Sequence, residues 1–163
     1  MTKFEELSSE YKKAFDEIHA YKVKCTQFGA KFTNGLHGFL ECPKEKIVPL
    51  AKDNSGKYCA SAPGYGEFNE DGFFVNYVRI DIPIDTADLS KKPSLPTVCQ
   101  LHLKEAADGK MEILLASLGG SVHKKLDEAS IPSLYPELVQ IIKKSLSGQK
   151  ALLLKGEHEQ YFL

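Results

Sequence analysis

The residues best suited to chemistry in this sequence follow the end of a predicted strand, where two glycines precede serine, histidine and lysine. Gly119 and Gly120 would leave backbone N–H groups free to face an anion. Ser121 could cap a short helix, and His123 and Lys124 would add positive charge. An anion-binding loop is therefore a candidate here, although a plain flexible turn is the favoured interpretation. The segment matches neither G-x-G-x-x-G nor G-x-x-x-x-G-K-S/T, so nucleotide binding is only weakly indicated.

Arg79, the only arginine in the chain, is a second candidate for holding an anion. It lies in a predicted strand with Tyr77 and Asp81 two residues away on either side, so the three side chains share one face. A guanidinium beside an aromatic ring could bind a carboxylate or phosphate through two parallel hydrogen bonds. The competing interpretation is an ion pair between Arg79 and Asp81, and the spacing favours it.

The cysteines offer little catalytic chemistry. Cys99 and His102 are near neighbours, but an odd separation along a strand sends their side chains to opposite faces, which excludes a direct thiolate–imidazole pair. We interpret Cys99 as a core residue and keep His102 as a candidate for ligand binding on the other face. Cys59 shares a strand face with Lys57 and Ser61, where an ammonium group could activate the thiol, but a half-buried thiol without a function is the favoured interpretation.

A metal site would have to be assembled from residues far apart in the sequence. The available ligands are Cys25, His37, Cys42 and Cys59, and no C-x-x-C pair occurs, although structural zinc sites usually contain a close pair of ligands. We therefore predict no metal, no cofactor and four free thiols, as expected in a reducing compartment. The sequence has no G-x-S-x-G pattern and no distinctive pair of carboxylates. An enzyme is therefore the less favoured interpretation.

Composition describes an ordinary globular protein and excludes several functional classes. The chain has 163 residues, 42% of them hydrophobic and 26% charged, which suits one domain spanning residues 1–163. A net charge of -1 supplies no field to hold nucleic acid or an anionic membrane. The N-terminus lacks the apolar stretch of a signal peptide and no run is long enough to span a membrane, so we expect a cytoplasmic protein.

Hydrophobic spacing predicts the first helix that positions these residues. Apolar residues recur at helical intervals from Lys3 to about Gln27. Thr2 and Glu5 have the spacing of a capping box at the start of this helix. Gly29 is the predicted exit.

A second helix is predicted from Pro136 to Leu146, with Gly148 as its stop. Strands are predicted at 38–42, 47–52, 57–61, 73–84, 97–106 and 110–118. The remaining segments are predicted as an irregular connection at 119–132, an edge strand at 150–155 and a tail at 157–163.

The strands at 97–106 and 110–118 form a predicted hairpin whose register can be argued from charge. Gly109 in the left-handed conformation closes a three-residue loop that places Lys104 opposite Glu112. A two-residue loop would instead oppose Glu105 to Glu112, two like charges. We predict the first register. Its second face is then half apolar, with Val98 beside Leu118, His102 beside Leu114 and Gln100 beside Ala116.

The chain order predicts an α+β fold with an N-terminal helix, a largely antiparallel sheet of about five to seven strands and a C-terminal helix. This order resembles that of small secretion chaperones and of cystatin-type folds at the level of fold alone. The half-apolar face predicts self-association or a protein partner, and hence a non-catalytic binding, adaptor or chaperone-like protein. Its interface candidates are Val98, Leu114, Ala116 and Leu118.

The alternative function is that of a small-molecule-binding protein or small enzyme that uses a cleft between the sheet and its covering helix. An enclosed pocket converging on His102, Tyr77 or Arg79 would favour this alternative. An exposed apolar second face of the sheet would favour protein binding.

Overall fold

Two α-helices pack on an antiparallel sheet of seven strands, which confirms the predicted α+β fold. The computed structural model describes residues 1–91 and 94–154, with side chains as far as residue 148. The helices are α1 (Lys3–Leu40) and α2 (Leu134–Leu154). The strands are β1 (Ile47–Lys52), β2 (Tyr58–Ala60), β3 (Gly66–Phe68), β4 (Phe74–Pro83), β5 (Ser94–Glu105), β6 (Met111–Ser117) and β7 (Gly120–Leu126). They lie in the order β2-β1-β4-β5-β6-β7, and β3 also pairs with β4.

Helix α1 begins as predicted and ends much later than predicted. Thr2 Oγ1 accepts a hydrogen bond from the Glu5 N–H at 3.2 Å, and the Thr2 N–H donates to the Glu5 carboxylate at 2.6 Å, which completes the capping box. The helix then continues through Gly29 to Leu40, so the exit at Gly29 and the strand at 38–42 were wrong. It ends at Glu41 in the left-handed conformation, with a φ of 52°.

The reason for Gly29 is close packing rather than helix termination. A β-carbon at this position would overlap the side-chain amide of Asn76 in β4. Asn76 is buried, and its Nδ2 donates to the carbonyls of Gly64 and Tyr65 at 2.8 and 2.9 Å. The amide therefore ties the loop before β3 to the sheet directly beneath α1.

The β5–β6 hairpin has the predicted register. Lys104 lies opposite Glu112 and Leu101 opposite Leu115, and Gly109 has a φ of 81° in the loop between the strands. The local charge pattern and the turn glycine were therefore sufficient to align these two strands.

Three predictions after this hairpin were wrong. Residues 120–126 form strand β7 instead of an irregular connection, and a 3-10 helix at Glu128–Ser133 follows it. Helix α2 passes through Gly148 and includes residues 150–154, where an edge strand was predicted; Lys155 and the predicted tail at 157–163 lie outside the described residues. Strand β7 could not be predicted from the pattern of hydrophobic residues, because only Val122 and Leu126 are apolar in it.

Both helices contribute to one core on a single face of the sheet. Phe32 from α1 and Leu138 from α2 are buried in it together with Phe74, Leu101 and Leu115 from the strands. Tyr135 Oη also donates to the Phe32 carbonyl at 2.9 Å, which joins α2 to α1. Within the described ranges, neither helix covers the opposite face of the sheet.

Candidate functional site: the open sheet face

The open sheet face is the side of the sheet that the helices leave uncovered, and it collects most of the predicted site residues. Cross-strand partners project to the same side of a sheet. The register pairs Tyr77 with Gln100 and Gln100 with Ala116, while His102 pairs with Leu114. Other predicted residues that share this face by their register are Arg79, Val98, Ser121 and His123. Most candidates for ligand binding and for an interface thus belong to one surface.

Arg79 is held by its neighbour on the strand, as the favoured interpretation predicted. Its Nε donates to Asp81 Oδ1 at 2.9 Å and its terminal nitrogen donates to Asp81 Oδ2 at 3.2 Å. This arrangement occupies both carboxylate oxygens with one guanidinium. To bind an anion, Arg79 would first have to break its ion pair with Asp81, and the two hydrogen bonds of that pair oppose this.

His102 and Gln100 form a short polar bridge at the middle of the face. His102 Nε2 lies 3.0 Å from Gln100 Oε1, and the ring also meets Phe73 edge to face. Partial burial lowers the pKa of His102, so the neutral ring is favoured near neutral pH. Cys99 points to the buried core, which confirms that it and His102 lie on opposite faces.

The apolar centre of the face is formed by half-buried side chains next to this bridge. Val98, Leu114 and Ala116 are each partly exposed on strands β5 and β6. The recorded pairing of β5 with β6 ends at Gln100 and Ala116, so the position of Leu118 beside Val98 stays a prediction. Leu118 is in the turn before β7 and is 69% exposed.

The polar side chains named here at the rim of the face have partners within the protein. His123 Nε2 lies 2.9 Å from Glu112 Oε1. Lys52 lies over the rings of Tyr58 and Tyr77 at 5.3 and 5.2 Å from their centroids. A surface with an apolar centre and a satisfied polar rim has the anatomy of a protein interface.

The predicted anion-binding loop has a different structure from the one expected. Gly119 lies in the tight turn between β6 and β7, where a β-carbon would overlap the Ile141 carbonyl of α2. Ser121 is inside a strand and caps no helix. Lys124 forms an ion pair with Glu137 at 3.1 Å. Anion binding here stays a prediction, but close packing already explains Gly119 and a carboxylate already neutralises Lys124.

The cysteines from which a zinc site would have to be assembled lie in different parts of the fold. Cys25 is on the buried side of α1, Cys42 follows the end of that helix, and Cys59 is exposed on β2, where its thiol lies 3.4 Å from the Ala51 carbonyl. All four cysteines are free thiols. In the described ranges, no three side chains of the kinds that bind metals form a group that could hold an ion.

A cleft of about 450 Å³ lies between the end of α1 and strand β4. Its walls include Leu40, Cys42, Ile80 and Ile82, with Asp81 at one side. A smaller cavity of about 130 Å³ lies beside Tyr77 and Phe68. Of the three residues on which a pocket for a small molecule was expected to converge, Tyr77 lines the smaller cavity, and His102 and Arg79 line neither of the two.

The first half of α1 is an exposed surface that the sequence did not reveal. Its apolar residues were interpreted as part of a helix that covers the core. Instead, residues 1–20 are exposed and the helix extends away from the sheet. Hydrophobic periodicity alone could not show which half of the helix is covered.

Comparisons add no relative from which a function could be carried over. The chain matches no protein-family model, no curated protein and no solved structure. Neither α1 nor the described part of α2 is both long and apolar enough to cross a membrane.

Proposed function

We propose that this protein is a non-catalytic binding module that holds a partner protein on the open sheet face. The main observation in support is that neither helix covers the half-apolar face predicted around Leu114. A sheet face packed by neither a helix nor a second sheet normally alternates to polar residues, whereas Val98, Leu114 and Ala116 give this one an apolar centre.

The polar groups around this centre define the chemistry of the partner. Arg79 and His123 each have a carboxylate neighbour within the chain, at 2.9 Å in both cases. The face therefore offers no free arginine to a strongly charged ligand such as nucleic acid. It suits an apolar, weakly charged protein surface that can form hydrogen bonds with Gln100 or His102.

The first experiment compares capture of proteins from a cell extract by the wild type, by Leu114→Asp and by Ile84→Asp. Ile84 is 62% exposed at the end of β4 and away from the apolar centre, which makes it a matched apolar-to-acid control. A partner of the open sheet face should be retained by the wild type and by the control and lost from Leu114→Asp. If no captured protein behaves in this way, the proposal is wrong.

The second experiment locates the contact with the purified partner. Leu114→Asp should weaken binding by at least about tenfold, which corresponds to about 1.4 kcal/mol. Hydroxyl-radical footprinting should show Tyr77 and His102 protected in the complex and Tyr11, on α1, unchanged. Protection elsewhere with unchanged affinity for Leu114→Asp would contradict this site.

The cleft between α1 and β4 supports a second candidate function, the binding of a small apolar molecule. Its volume of about 450 Å³ lies within the range of known ligand pockets, and its walls are mostly apolar, with Glu41, Lys46 and Asp81 among them. Ligand-observed NMR with a set of small apolar compounds tests this candidate. Compounds that bind the wild type but not Ile82→Trp, which fills the cleft, would support it, and equal binding to both proteins would oppose it.

A further inference from the structure

We propose that the exposed first half of α1 pairs antiparallel with the same segment of a second copy of the chain. This surface is separate from the open sheet face and does not depend on the function proposed for it. The projecting stripe consists of Phe4, Leu7, Tyr11, Phe15 and Ile18, which are between 57% and 80% exposed.

The spacing of the stripe is that of a helix packed along another helix. Every seventh residue from the start of α1 to its buried half is apolar: Phe4, Tyr11, Ile18, Cys25 and Phe32. A second row, offset by three residues, contains Leu7, Ala14, Tyr21 and Phe28. Such a sustained heptad repeat is typical of helix pairs. The later half of the repeat is used by the core, and the first half has no partner within the described residues.

The position of the core makes the pairing antiparallel. Cys25 and Phe32 are buried, so the rest of the protein lies on the side of α1 that carries the repeat. Two parallel copies with their stripes in contact would place both cores in the same space. In an antiparallel pair, each core lies beyond the N-terminus of the other helix.

The stripe is complementary to itself in this orientation. With the twofold axis between residues 12 and 13, Tyr11 faces Ala14 of the second copy, so a large side chain meets a small one on each side of the axis. Leu7 then faces Ile18 of the second copy. Alternation of large and small residues across facing positions is what allows two helices to interdigitate.

The area and the charge of the segment also suit a second copy. Five large apolar side chains at this exposure offer roughly 600 Å² per copy, or about 1,200 Å² for the pair, the lower end of specific interfaces. The segment carries more acid than base, which disfavours an anionic membrane as the occupant. Its charged residues are Lys3, Lys12, Lys13, Glu5, Glu6, Glu10, Asp16 and Glu17.

Sedimentation equilibrium of the full chain tests the pairing. The wild type should be a dimer at micromolar concentration, and Tyr11→Glu should raise the dimer dissociation constant at least tenfold. Ser9→Glu, on the polar side of the same helix turns, introduces the same charge and should change it less than twofold. A monomeric wild type, a larger oligomer, or equal effects of the two variants would overturn the proposal. Circular dichroism checks that each variant is folded.

Spin labels test the orientation. Single cysteines replace Lys3 or Lys13 in a chain with Cys42→Ser and Cys59→Ser, and pulsed dipolar spectroscopy measures the distance between copies. In the antiparallel pair, labels at Lys3 should be farther apart than labels at Lys13 by about 10 Å or more, because residue 3 lies far from the axis along a rise of about 1.5 Å per residue. Similar distances at the two sites would show a parallel pair and overturn the proposal.

Discussion

Gly29 of α1 lies directly against the side-chain amide of Asn76 in β4, and a β-carbon at residue 29 would overlap that amide. Asn76 in turn donates two hydrogen bonds to the loop that contains Gly64. Helix, loop and strand therefore meet at one buried polar side chain. Most other residues would favour the helix more than glycine does, but the contact with Asn76 leaves no room for their β-carbon.

Gly29→Ala should destabilise the protein by about 1 to 3 kcal/mol, because the added methyl group forces α1 and Asn76 apart. Gly38→Ala is the matched control in the same helix, since nothing lies within 4 Å of a β-carbon there. It should be neutral or stabilising by up to about 1 kcal/mol, because alanine favours the helix. Urea denaturation followed by circular dichroism measures both changes. Equal effects would contradict the packing described for Gly29.

Leu114 and Leu115 are neighbours in β6 that project to opposite faces, so the same substitution should have opposite outcomes. Leu115 is completely buried, and Leu115→Asp places an unpaired charge in the core, which should abolish the folded state. Leu114→Asp lies on the open sheet face and should change the free energy of unfolding by less than about 1 kcal/mol. Thermal melts of the two variants decide this. Unfolding of Leu114→Asp would show that the face is covered after all.

The cysteines should react with thiol reagents in the order of their exposure. Burial raises the pKa of Cys25 to about 11 and that of Cys99 to about 12, whereas Cys59 is exposed. At about pH 8, a maleimide should label Cys59 first, Cys42 more slowly, and the two buried thiols only after denaturation. Peptide mass spectrometry identifies the labelled residues. Early labelling of Cys25 or Cys99 would contradict their placement in the core.

His102 should make the protein less stable on acidification. Burial lowers its pKa in the folded state below the ordinary value of 6.5, so a proton binds the unfolded chain more readily. Neutral His102 stabilises the fold fully when the pH is above its ordinary pKa of 6.5. This stabilisation is lost as the pH falls toward the lower pKa of His102 in the folded state. The urea midpoint of the wild type should therefore drop more between about pH 7.5 and 5 than that of His102→Gln. An equal drop in both proteins would assign the pH dependence to other groups.

Local signals predicted the parts of this fold that depend on neighbours in the chain. The capping box at Thr2 and the hairpin closed by Gly109 each involve residues only a few positions apart, so their geometry follows from the sequence. Gly29 and Gly148 were misinterpreted as helix stops because glycine also occurs inside helices. At Gly29 the reason is the approach of Asn76, a contact that is invisible before the tertiary structure is known.

The candidate site could also be predicted only where its residues are close neighbours in the sequence. The half-apolar face around Leu114 could be predicted from the hairpin register. That Tyr77 and Arg79 lie on the same face depends on the pairing of β4 with β5, which the hairpin does not determine. The exposed stripe of α1 was hidden for a related reason. Phe4 and Phe32 belong to one continuous repeat, and only the fold shows that Phe32 is buried and Phe4 is not.

The two edges of the sheet restrict how this protein can assemble. One edge is formed by β2 and β3, with three residues each, and the other by β7, where Lys124 and Lys125 are each paired with a carboxylate. Short and charged edges resist the addition of a strand from another molecule. Growth of the sheet from chain to chain, the first step toward a fibre, is therefore disfavoured even though the protein exposes much apolar surface.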